Sequence, residues 1–238
     1  MDLVNRQEYK YYVRKEDLFF IKAYLKEVLI NDINSVGDKY TISSLYFDTL
    51  NNDDYNQKLD GVMFREKYRI RVYNKDITSA KFEVKRKLNN CISKLSAKIT
   101  EQDLVEIYKK NYSVLDKYEN LEYVSSRIGY MSYSPINIVT YDREAYTIPI
   151  NNIRITIDSN LRTHGFNTDL FALNNAPTSM VQNNNLDILE VKFNEELPNF
   201  IKVFLSSFCS VRSAISKYAL CRIHNNTEIK GDDPVIPF

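Results

Sequence analysis

Residues 64–73, FREKYRIRVY, set Arg65, Lys67, Arg69 and Arg71 at every second position, with Phe64, Tyr68, Ile70 and Val72 on the alternate parity. A strand sends successive side chains to opposite faces, so this segment has one cationic face and one mostly apolar face. The pattern recurs. Arg6, Glu8 and Lys10 lie opposite Tyr9, Tyr11 and Val13; Lys81, Glu83, Lys85 and Lys87 lie opposite Phe82, Val84 and Leu88, with Arg86 the exception. Tyr141 and Arg143 share a face. Arg154, Thr156 and Asp158 oppose Ile153, Ile155 and Ile157, and Glu190 and Lys192 oppose Leu189, Val191 and Phe193. For any one strand the simplest account is a sheet with one face in water. The set argues otherwise, because the polar faces are long-chained and biased to cations while the opposing faces are large and apolar. A closed barrel of about eight strands, with helices outside, sends every polar face inward. Bare burial of that much charge is prohibitive. The lumen must therefore hold water and a multivalent anion. The expected fold is α+β, an eight-stranded antiparallel β-barrel tunnel with a charged lumen and helices packed on the outside.

Periodicity places strands at 5–13, 41–49, 64–73, 80–88, 136–148, 152–159 and 187–193. Helices are expected at about 16–29, within 100–131, at 198–208 and at 213–223. Thr100 and Asp103 form a variant capping box at the head of the 100–131 region, which holds a second helix near 119–131. Residues 160–185 have no clear period, and the tail from about 225 to 238 is expected to be loose. Without an internal repeat or a break in composition, residues 1–238 are expected to form a single domain.

With 32 basic and 31 acidic residues the net charge is +1, so bulk electrostatics point neither to nucleic acid nor to an anionic membrane surface. Any cationic site is a local concentration. Cys91, Cys209 and Cys221 are odd in number and widely spaced, which suits reduced thiols in a cytoplasmic setting. Two histidines, His164 and His224, argue against a histidine-rich metal site. The charged opening stretch does not read as a signal peptide, and no run is long and apolar enough to insert into a membrane. Guanidinium groups grip phosphate oxygens in a fork and lysine acts as a point charge. Cations on several walls suit a chain of phosphates, and by parity Lys67 and Lys192 join that set. Glu8 and Glu190 are candidates to hold Mg²⁺ or Mn²⁺, which take a few carboxylates plus phosphate and water. Either glutamate can instead pair with a neighbouring lysine.

The motifs RQEYKYY, SLYFDT, YRIRVY, FEVKRK, YDREAY, IRITID, ILEVKF and SKY (216–218) follow one another in an order and approximate spacing that resemble the VTC domain. That domain is the polyphosphate polymerase branch of the triphosphate tunnel metalloenzymes, and the resemblance covers about residues 5–220. It implies an eight-stranded antiparallel tunnel with helices outside. It also implies transfer of the terminal phosphoryl group of a nucleoside triphosphate, ATP, to a growing inorganic polyphosphate chain, with Mn²⁺ or Mg²⁺. Lys10, Arg69, Arg71, Lys85, Arg143, Arg154 and Lys217 match the family's catalytic cations, Ser216 and Lys217 its phosphate contacts, and Glu190 its metal ligand. Tyr141 is implied as a contact to phosphate or base.

Two departures stand out. Arg6 occupies the place of the first glutamate in the ExExK of the hydrolase and cyclase branches, which disfavours a two-metal hydrolytic site. Arg212 stands near where eukaryotic polymerases carry an extra lysine, and is expected to reach phosphate in its place. The eukaryotic phosphate-sensing and membrane domains are not recognisable, so a bacterial protein working beside a membrane-protein partner is expected. Two other functions remain open: a tripolyphosphatase or nucleoside triphosphatase in the same tunnel, and a non-catalytic module binding polyphosphate or inositol phosphates.

Overall fold

The computed structural model describes residues 6–31, 39–88, 91–181, 185–209 and 211–230. Among these, eight long strands form one antiparallel sheet: β1 (Arg6–Arg14), β2 (Tyr40–Asp48), β3 (Phe64–Tyr73), β4 (Asp76–Leu88), β5 (Cys91–Lys98), β6 (Ser134–Ile148), β7 (Ile153–Thr163) and β8 (Leu186–Asn194). Their order is β1-β8-β7-β6-β2-β3-β4-β5, and the short strands Ile30–Asn31 and Ser179–Met180 add to β6 and β7. Among the described residues no backbone ladder joins β5 back to β1. The sheet nevertheless curls into a tunnel, because Lys85 of β4 places its Nζ 3.2 Å from Glu8 of β1, almost the full width of the sheet away. The second edge of β1 is taken by a strap from the C-terminal region. Arg212 forms a bridge with Tyr11, and the Ser213 N–H donates to the Lys10 carbonyl at 2.9 Å.

The apolar parity of each strand is covered from outside. Tyr68, Ile70, Phe82 and Val84 pack with Leu104 and Ile107 of α3 (Glu101–Tyr108) and with Val124 and Ile128 of α4 (Glu122–Tyr130). Ile155, Ile157, Leu189 and Val191 pack with Ile21 and Leu25 of α1 (Leu18–Val28) and with Ile201 and Phe204 of α5 (Asn199–Phe208). The α3 capping box is present: Thr100 Oγ1 accepts from the Asp103 N–H, and the Asp103 carboxylate accepts from the Thr100 N–H at 2.9 Å. Arg86 lies outside as its parity requires. It pairs with Glu66 at 2.5 Å, and Glu66 also holds Arg127 of α4 at 2.8 Å.

The helices α2 (Asp53–Leu59) and α6 (Lys217–Lys230) close round one end of the tunnel. The ring of Tyr218 stacks on Tyr46 of β2 with centroids 4.9 Å apart, and its hydroxyl donates to Asp48 at 2.6 Å. Arg222 reaches the Asn52 side chain at 2.6 Å. None of the described helices is long and apolar enough to cross a membrane.

Three elements differ from the sequence reading. The strand β5 was not anticipated, because CISKLSAK puts Ile92 on the charged parity and Ser93 on the apolar one, which blurs the alternation. The strand β7 runs on past residue 159 to Thr163, through Asn160 at φ 53° beside a register shift in its pairing with β6, the mark of a bulge. The last helix starts at Lys217 rather than 213, since 212–213 are spent against β1, and it continues through Lys230 where a loose tail was expected. Residues 231–238 of that tail lie outside the described residues.

Phe82 is fully buried between the sheet and the covering helices. Phe82→Ala is expected to lower the unfolding free energy by about 3–5 kcal/mol in urea denaturation. A loss below about 1 kcal/mol would remove this face from the core.

Candidate functional site: a charged tunnel lumen

Strand parity and curl bring the charged faces together in three clusters. In the first, Lys10 Nζ lies 2.9 Å from Glu8 and 3.5 Å from Glu190, while Lys192 lies 2.6 Å from Glu190 and 3.9 Å from Glu8. Lys85 closes this group from the opposite wall. Burial works against ionisation of Glu8, yet Lys10, Lys85 and Lys192 outweigh both burial and the nearby Glu190 charge, leaving its pKa at about 2. Burial likewise opposes the Glu190 charge, and Lys192, Lys10, Arg143 and Lys217 hold it well below the usual carboxylate range. Both glutamates are therefore ionised at neutral pH.

The second cluster is centred on Glu83, whose side chain is 1% exposed. It accepts from Arg69 at 2.7 Å, lies 3.8 Å from Arg71, and pairs with Lys94 of β5. Arg69 also donates to the Tyr46 hydroxyl at 3.1 Å, and Arg71 to Ser44 Oγ at 3.4 Å. Despite burial, Arg69, Arg71 and Lys94 pull the Glu83 carboxyl down to about 2.

The third cluster is a fork. Arg143 grips Asp158 through two nitrogens at 2.5 and 2.6 Å, and Lys217 at the start of α6 reaches the same carboxylate at 2.6 Å. Both cations lie against the Tyr141 ring, 5.3 and 4.8 Å from its centroid. Although burial opposes it, the charges of Arg143, Arg71 and Lys217 lower the Tyr141 pKa.

Other cations lie on aromatic or hydroxyl partners. Arg154 donates to the Tyr40 hydroxyl at 3.1 Å. Lys67 sits 5.0 Å over Tyr218 and Lys81 5.8 Å over Tyr73, and neither has a carboxylate within ion-pair distance among the described residues. Burial lowers the Lys67 pKa to about 7 and that of Lys85 to about 8, only partly offset by Asp54 and Glu8 respectively.

The structure thus gathers Glu8, Lys10, Lys67, Arg69, Arg71, Lys85, Tyr141, Arg143, Arg154, Glu190, Lys192 and Lys217 round one lumen. Ser216 lies at its edge, where its hydroxyl accepts from the Ala219 N–H at 3.3 Å and caps α6. Arg212 is the correction. Its guanidinium lies 4.0 Å over the ring of Tyr9, on the outer parity of β1, because the strap runs along the outside edge before entering the tunnel end. Asp158 and Lys94 join the site beyond the residues that the sequence points to, and Glu83, a reserve carboxylate there, is the centre of the second cluster. Parity already put Glu83 and Asp158 on charged faces; Lys94 went unread with β5.

The VTC domain family model matches residues 5–223. The chain belongs to the VTC domain family. A candidate adenylyl cyclase from Hippeastrum, described as having a dominant triphosphatase activity, shares its fold at TM-score 0.57 and 16% identity, covering 97% of this chain and 98% of that one. A candidate adenylate cyclase from Bacillus halodurans aligns at TM-score 0.51 and 13% identity over 89% and 95% of the two chains. A chain of the Schizosaccharomyces pombe Mediator head module aligns at 0.52 and 10% identity, over 87% and 97%. A comparison with curated proteins returns no match.

For this VTC domain the lysine pKa values give a testable consequence. At pH 8 Lys67 is mostly neutral and Lys85 about half charged, and a bound polyanion favours the charged form of both. Once the ligand's own terminal-phosphate titration is subtracted, the protein should take up more protons on binding tripolyphosphate at pH 8 than at pH 6. Calorimetry in two buffers of different ionisation enthalpy reads this directly, and equal proton uptake at both pH values would contradict it.

Proposed function

We propose that this VTC domain is a polyphosphate polymerase, transferring the terminal phosphoryl group of ATP to a growing inorganic polyphosphate chain. The observation that carries the reading is the convergence of the family's matching cations on one lumen, from β1, β3, β4, β6, β7 and α6, beside the carboxylates Glu8 and Glu190. Arginines and lysines on separate walls hold successive phosphates of one chain, where a single carboxylate ligand would meet only one wall.

The donor set fits a divalent metal. Glu8 and Glu190 present two ionised hard oxygen donors that share Lys10, and among the described residues there is no group of three or more metal-ligating side chains, so phosphate and water would have to complete the shell. Mg²⁺ and Mn²⁺ are commonly held by one or two carboxylates, with substrate phosphates and water completing the shell. Such an ion would neutralise charge on the transferred phosphoryl group. The chain's own part is positioning and electrostatic. Arg69, Arg71, Arg143 and Arg154 fork phosphate oxygens, Lys10, Lys85 and Lys192 add point charges, and Lys217 holds charge at the closed end. The acceptor's terminal phosphate is already anionic, so its attack needs no general base.

Arg6 supports polymerisation over a two-metal hydrolysis. It stands on the parity of Glu8 and Lys10, where the hydrolase branches place a further glutamate, and its guanidinium is spent on the Asn152 carbonyl at 3.3 Å.

Incubation with ATP and Mn²⁺, followed by gel separation of long anionic chains, tests the reading. Long chains support it, free phosphate alone would make the protein a triphosphatase, and binding without turnover would make it a non-catalytic module. Glu190→Gln should cut turnover roughly a hundredfold or more by removing a metal anchor, while metal-free tripolyphosphate binding survives. Separately, Arg71→Ala should weaken that binding strongly and Arg86→Ala, held on the outer face by Glu66, should leave it nearly unchanged. Equal losses from the two arginine variants would contradict the assignment of the lumen.

A further inference from the structure

We infer that Arg212 is a positioning residue for the lumen: from outside the tunnel it anchors the strap that sets Lys10 and Lys217. The inference rests on the reading of the lumen as a triphosphate site and adds a residue that never touches the phosphate. The path is continuous. The Arg212 guanidinium lies 4.0 Å over the Tyr9 ring, which is itself fixed by an edge contact with Phe193 at 4.9 Å and by its hydroxyl donating to Gln7 at 2.8 Å. The Arg212 backbone bridges Tyr11, and the next residue, Ser213, donates its N–H to the Lys10 carbonyl at 2.9 Å. Lys10 turns back onto the same strap, its Nζ donating to the Ile215 carbonyl at 3.1 Å while it also meets Glu8 and Glu190. Ser216 then caps α6, and Lys217 enters the fork on Asp158.

The strap between Ser213 and Ser216 belongs to no helix or strand, so its placement depends on these few anchors together with the Ile215 side chain, which is buried against Ile42, Val139 and Ile188. The stack on Tyr9 lies beside an open cavity of about 610 Å³ on the outer face, also lined by Phe193, Lys202 and Leu205. Without the guanidinium over Tyr9 the strap has room to shift there, and a shift carries Lys217 with it and withdraws the Ile215 carbonyl from Lys10 Nζ, which is then free to turn to another place in the lumen. Misplacement of binding groups by even about 1 Å is costly where several must meet one ligand. Arg212 is exposed and on the far side of the β1 wall, where solvent and salt screen its own charge from the lumen.

The test is metal-free tripolyphosphate binding to the full chain by calorimetry, at several salt concentrations. Arg212→Ala is expected to weaken binding about tenfold with little change in melting temperature. The slope of log affinity against log salt should stay as in the wild type, because no phosphate contact is lost. Arg212→Lys, which restores a cation over Tyr9, should recover most of the affinity. In a Lys217→Met background, Arg212→Ala should cost clearly less than in the wild type, the non-additivity expected of groups acting through one another. Should Arg212→Ala fail to fold, Tyr9→Leu removes the same stack from its other side and should weaken binding likewise. A shallower salt slope with additive losses would make Arg212 a direct phosphate contact and overturn the inference. Unchanged affinity in folded Arg212→Ala would overturn it too, while leaving the triphosphate reading intact. Failure of the wild type to bind tripolyphosphate would overturn that reading and this inference with it.

Discussion

Like charges crowded into a narrow space repel one another, and every other feature of this molecule is arranged round that fact. Four carboxylates, Glu8, Glu83, Asp158 and Glu190, each hold two or three cations in place. Buried ion pairs of this kind barely repay the cost of stripping water from their charges. The stabilisation comes mainly from the other parity of the same strands, where Tyr68, Ile70, Phe82, Ile155, Leu189 and Val191 are sealed under helices, and in part from an inner apolar cluster of Ile42, Val139 and Ile188 with Ile215 and Leu220. The wall of the tunnel is therefore two-sided in energy as well as in chemistry. Its outside does most to hold the fold together, and the charged part of its inside is held in a state that an anion relieves.

Period-two alternation made this legible from the sequence wherever the two parities differ sharply. FREKYRIRVY, FEVKRK, IRITID and ILEVKF each announce both a face and its opposite, and their side chains lie where parity puts them. Where the contrast weakens, the reading fails for a physical reason. The segment CISKLSAK mixes small polar and apolar residues on both parities, so the eighth strand and its Lys94 were hidden. The strap was hidden for another reason. A short segment laid against a strand edge has no period of its own, and proximity in sequence to SKY suggested that Arg212 would enter the lumen with Lys217. The chain turns the corner between them.

The fold alone says less than the lumen does. At 10–16% identity, the same architecture serves candidate cyclases and a chain of the Mediator head. Here the inner parity carries forks and ammonium groups on opposed walls, with two of the carboxylates, Glu8 and Glu190, set diagonally across β1 and β8, Glu8 opposite Lys192 and Glu190 opposite Lys10.

The join between β1 and β5 has a consequence for the protein in a crowded solution. Each strand at such a join presents unpaired N–H and C=O groups, a ready template for edge-to-edge association with a second chain. The two edges are defended differently. On β1 the strap occupies the position at Tyr11 and Lys10. On β5, paired only to β4 among the described residues, exposed Lys94 and Lys98 would force any incoming strand to accept buried positive charge. An unclosed barrel is in this way kept from growing into a larger sheet.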